Sequence, residues 1–83
     1  KTAEQRVLAK KVLSWVKGEL KRRNMTHRDL YALIYDVSDP EKQKVLELTN
    51  LLNRGNPSVG WLGLVLTKLE VKTIRVNEMF GLE

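Results

Sequence analysis

Two prolines divide this chain, and each follows a residue suited to a helix end or start: Asp39-Pro40 and Asn56-Pro57. Proline has no backbone N–H and clashes with the preceding helical turn, so no helix runs through either position. Helices are therefore confined to the segments before, between and after them. In all three segments apolar residues recur at helical spacing. The chain is constrained to a set of short helices, each needing a neighbour to cover its apolar side.

In the first segment, residues 3–23 read as a long helix with Leu8, Val12, Trp15, Val16 and Leu20 on its inner side. Lys10, Ser14, Lys17 and Lys21 fall on another face, Gly18 weakens the interior, and Asn24-Met25 marks the end. Thr26 with Asp29 forms a capping-box pattern for a second helix, which carries Leu30, Leu33 and Ile34 to about Tyr35. Between the prolines, Asp39 as N-cap and Pro40 as first residue predict a third helix over 40–53. Val45, Leu48, Leu51 and Leu52 would face inward, with Gln43, Glu47, Asn50 and Arg54 opposite. Asn53-Arg54-Gly55-Asn56-Pro57 ends it, with Gly55 able to take a left-handed cap. After the second proline, Ser58 caps a helix over 58–70 with Val59, Leu62, Val65, Leu66 and Leu69 toward the core. Val71–Val76 alternates as a short strand or an extended arm would, and Asn77–Phe80 can add one helical turn. The expectation is one all-α domain of four to five helices over 1–83, with its core in about 12–71 and a tail in 72–83. Two helices joined by a turn, the second and third here, form a helix-turn-helix. The terminal Leu82-Glu83 reads as a vector scar and carries no weight.

Composition narrows the function. An 83-residue chain with 42% hydrophobic residues can bury one small core. No apolar run is long enough to cross a bilayer, and no signal peptide is visible. The absence of cysteine removes thiol nucleophiles and disulfides and suits a cytoplasmic protein. A single histidine and no paired carboxylates argue against an enzyme, and no cofactor, metal or small-molecule substrate is expected. Charge is distributed unevenly. Residues 1–28 hold nine Lys/Arg against Glu4 and Glu19, and the remainder holds six against eight. A basic front half favours a polyanionic partner, although a solvated helix face explains it equally. The first helix is basic and amphipathic, as membrane-surface helices are, but its apolar side is needed to close the core.

The joints between helices sharpen the reading. LKRRNMTHRDLYALI resembles the first-helix end and second helix of the Cro/CI-type (lambda-repressor-like) DNA-binding domains. LTNLLNRGNPS is similar to the recognition-helix end of that family, and PSVGWLGLVLTKLEV to its fourth helix. The likeness covers about residues 12–71. Three departures mark a divergent branch. Tyr31 stands where the family has a small residue, the stretch YDVSDPEKQKVLE is longer than the usual turn, and Trp61 and Leu64 replace polar residues.

The resemblance implies a sequence-specific transcriptional regulator of double-stranded DNA with helix 40–53 in the major groove. It implies base contacts from Gln43, Lys44, Thr49 and Asn50, since Gln and Asn pair bidentately with adenine and Lys reaches guanine. It implies phosphate contacts from Thr26, His27, Arg28, Asn53, Arg54 and Asn56. Each has a plainer role too: Asn53 to Asn56 make a cap and turn, Lys21-Arg22-Arg23 complement a helix dipole, and Gln43 and Asn50 are simply solvated. Trp61, Leu64 and Lys68 form a stripe expected to be exposed as a homodimer or partner patch, unless Ile74, Val76 or Phe80 folds over it. The alternative function is a protein-interaction module that has lost DNA, which Glu47 and the acidic turn would suit. The two readings differ electrostatically. DNA binding calls for Arg28, Lys42, Lys44 and Arg54 on one face; its loss would leave the cations of the first helix apart from the third.

Overall fold

The computed structural model describes residues 2–82, and the chain is all-α. The described residues form five helices: α1 Ala3–Arg22, α2 His27–Tyr35, α3 Lys42–Arg54, α4 Val59–Lys68 and α5 Val76–Phe80. The long α1 is the spine, with α3 against one side and α5 against another, while α2 packs on α3 and α4. The core gathers Leu13, Val16 and Leu20 of α1 with Leu30 and Ile34, Leu48 and Leu52, and Val65 and Leu69. Four helices thus bury one apolar cluster that none could cover alone.

Local chemistry explains where the helices begin and stop. The Thr2 hydroxyl accepts from the Gln5 amide, and the Gln5 side chain accepts from the Thr2 amide, so α1 opens on a reciprocal cap. It ends at Asn24, whose φ of 58° lies in the left-handed region that asparagine tolerates. That turn lets the Met25 N–H donate back to the Leu20 carbonyl at 2.9 Å and lays Met25 on the core. Glu70 repeats the device after α4, with Val71 donating to Leu66. Thr26 and Asp29 cap α2 reciprocally, and Ser58 accepts from the Trp61 amide at the head of α4.

Two carboxyls are held below their ordinary range by these contacts. The Thr26 backbone N–H, and then its hydroxyl, stabilise ionised Asp29. Arg22 first, with Arg23, does the same for Glu19 despite its partial burial. Depressed folded values mean stability that is complete above about pH 5 and lost as the pH falls through them. Thermal melts of the parent should therefore decline in acid more steeply than those of Asp29→Asn/Glu19→Gln. Parallel acid limbs would show that neither contact matters to folding.

Several expectations are corrected. The third helix begins two residues late, at Lys42, with Glu41 as an N-cap that makes no side-chain bond. Asp39 is not the cap because its carboxylate pairs with Arg28, whose other nitrogen donates to the Pro40 carbonyl at 3.0 Å. Pro40 is buried under that clasp. Gly55 is not left-handed: its φ is −78°, and its backbone is extended. Residues 71–75 form no strand, having no ladder partner among the described residues. Leu13 joins the core, while Leu8 and Leu33 are substantially exposed and Val59 is 90% exposed. Trp61 and Leu64 are half-buried against the core, so the expected open stripe with Lys68 does not form. Nor does the tail cover it. Tyr31, Tyr35 and Leu51 line one cleft with Trp61, and the tail docks on α1.

Candidate nucleic-acid interface

Around α3 each residue turns by about 100°, which sorts its polar residues into distinct stripes. Leu48 and Leu52 mark the buried side. Gln43, Glu47, Asn50 and Arg54 lie opposite and are exposed, with the 51% exposed Leu46 beside them. Lys42 and Lys44 stand about 200° apart on this helix and so flank opposite edges rather than share a face. Lys44 lies 4.0 Å from Glu47 and lines the cleft that holds Tyr31, Tyr35 and Trp61.

Several of the side chains expected to meet DNA are engaged within the protein. Thr49 is half-buried, with its hydroxyl 2.9 Å from His27 Nδ1, which joins α3 to the first turn of α2. The Thr26 hydroxyl accepts from the Asp29 amide at 3.0 Å. Arg28 is held by Asp39 and the Pro40 carbonyl. Asn53 Oδ1 accepts from Lys17 Nζ at 3.2 Å, tying α3 to α1. Gln43, Asn50, Arg54 and Asn56 remain outward with no side-chain hydrogen bond among the described residues.

The positive charge gathers where the sequence did not single it out. Arg6 and Lys10 of α1 line one open cleft with Arg54, Gly55 and Asn56. Lys17, two turns further along α1, borders the same side through its bond to Asn53. No carboxylate lines this cleft, and among the described residues Arg6, Lys10, Lys17 and Arg54 have no ion-pair partner. Residues 6, 10 and 17 follow the four- and seven-residue spacing of one helix stripe. That periodicity was legible in the sequence, but its neighbour across space was not. The opposite end of α3 is different, with Asp36, Asp39, Glu41 and Glu47 clustered in sequence around its start.

The arrangement can hold a polyanion along α1 and present amide side chains of α3 beside it. Among the described residues no three His, Asp or Glu side chains gather as a metal site would need. No helix among the described residues is long and apolar enough to cross a membrane. No family model matches the sequence, and comparison with curated proteins and with solved structures gives no match.

Proposed function

We propose that this chain is a sequence-specific, double-stranded DNA-binding regulator of the helix-turn-helix type, with α3 as its recognition helix. Arg28, Lys42, Lys44 and Arg54 do not share one face. The observation that carries the reading is instead the cleft of Arg6, Lys10 and Arg54, which brings cations of α1 to the C-terminal end of α3 with no carboxylate in its lining. Cations grouped in this way bind phosphates and release counterions, which supplies affinity. Asn50, exposed one turn before Arg54, has the donor and acceptor needed to read adenine. DNA as the ligand would place the protein in the cytoplasm. A homodimer on paired half-sites would need a face other than Trp61 and Leu64, which are packed inward.

Fluorescence anisotropy with random duplex DNA at two salt concentrations tests this. The parent should bind at low salt and weaken steeply as salt rises. Asn50→Ala/Arg54→Ala should bind less tightly, with a salt slope smaller by about 1. A parent that does not bind at low salt rejects the proposal. That outcome would favour a protein partner, for which Leu46, exposed in the middle of the outward face of α3 next to Glu47, is the supporting observation.

A further inference from the structure

Helix-turn-helix recognition helices ordinarily offer their N-terminal residues to base edges. The charges around α3 favour the other end. At its start, Glu41 occupies the N-cap position; it makes no capping bond, but its negative charge lies beside the pole that would attract a phosphate. Glu47 follows on the outward face nearly two turns on, at the middle of the helix. Of the cations nearby, Arg28 pairs with Asp39 and Lys44 lies 4.0 Å from Glu47, which leaves Lys42 as the one cation at this end without an ion pair among the described residues. At its end, Arg54 stands with Arg6 and Lys10 around one cleft, and Lys17 lies beside them. The helix dipole opposes an anion there, but its C-terminal pole is worth only about half a charge. Three or four unpaired cations outweigh it.

We propose that α3 meets the duplex with its C-terminal half, the DNA backbone lying in the cleft of Arg6, Lys10 and Arg54, while its N-terminal half stays off the duplex. The inference rests on the DNA-binding reading and adds a docking polarity to it. In this pose α1 is the principal phosphate anchor, and Lys17 holds Asn53 in place at its margin. Asn50 is the residue brought closest to base edges, because Arg54, which shares its face four residues on, is fixed to the adjoining phosphates. In this pose the acidic turn before α3 lies off the duplex, which removes the repulsion that Asp39 and Glu41 would otherwise impose, while Glu47, on the stripe of Asn50, is offset by Lys44 4.0 Å away.

Matched neutralisations decide between the two polarities. Lys10→Gln and Lys42→Gln each remove one charge from an exposed lysine, so the change in overall field is the same. Anisotropy with a random duplex is measured across a salt series for the parent, both variants and Arg6→Gln/Lys10→Gln. Circular dichroism melts confirm that each is folded. Lys10→Gln should lower the salt slope by about 0.9 and the double variant by about 1.8, with Lys42→Gln indistinguishable from the parent. Arg6→Lys, which keeps the charge, should keep the parent slope. Loss at Lys42 equal to or greater than loss at Lys10, with the parent binding, overturns the polarity and leaves the DNA reading standing. A parent that fails to bind at low salt overturns both.

Discussion

Replacing Leu52 by alanine is expected to remove about 3–5 kcal/mol of stability, the largest effect of any single truncation in α3. Leu52 is 1% exposed and lies in the core cluster with Leu13 and Val16 of α1, Leu30 of α2 and Val65 of α4. It therefore joins helices from three directions, and its truncation leaves a cavity where they meet. A domain of this size has roughly 4–12 kcal/mol in total, so the loss is a large fraction of the whole. Urea denaturation should show the midpoint falling sharply with the slope unchanged. Val59→Ala, at a position 90% exposed, should shift the same curve by less than about 0.5 kcal/mol. Comparable shifts for both would mean that the helices do not pack as described.

Gly55→Ala should rank next, at about 1–3 kcal/mol, for a reason unrelated to glycine's freedom in φ. Its backbone is one that alanine adopts without strain. The obstacle is contact. A Cβ at residue 55 would overlap the Leu51 side chain and lie 2.7 Å from both the Leu51 Cα and its carbonyl oxygen. The side chain can move, but the backbone of the last α3 turn moves only by losing the 2.8 Å bond from the Gly55 N–H to that carbonyl. Arg54 and Asn56 flank the displaced residue, so the variant should lose duplex affinity at temperatures where it is still fully folded. A folded Gly55→Ala with the parent's affinity would show that the cleft does not depend on the geometry of this turn.

Much of the fold could be read from the chain because its signals were local. Thr26 with Asp29 and Ser58 before Val59 cap the helices they were expected to cap. Asp39-Pro40 misled because its start signal was equally local, while the contact that claims Asp39 comes from Arg28, eleven residues earlier. Periodicity failed at α4 for another reason. Val59, Trp61, Leu62, Leu64, Val65 and Leu66 make that helix apolar nearly all round, and no period can then single out Val59 as the exposed one. Leu13 was missed because α1 serves neighbours on two sides and so buries a wider stripe than one face provides. The candidate site was harder to read. A polar residue on a helix surface carries no mark of its partner, and Thr49, Asn53 and Arg28 proved to be engaged within the chain.

The docking of α5 on α1 has a consequence for the order in which the molecule assembles. Lys11 Nζ donates to the Phe80 carbonyl, and Met79 is buried in the same contact, so this seam joins residues 69 positions apart. The His27–Thr49 link between α2 and α3 spans only 22. Closing the longer loop costs about 1 kcal/mol more in chain entropy if nothing else is yet formed. The four-helix core should therefore condense first, shortening the effective loop, and the tail should seat last. On a ribosome α1 would emerge before α5 and wait for the residues between them before that seam could close. In refolding kinetics, truncating Met79 should speed unfolding while leaving the folding rate almost unchanged.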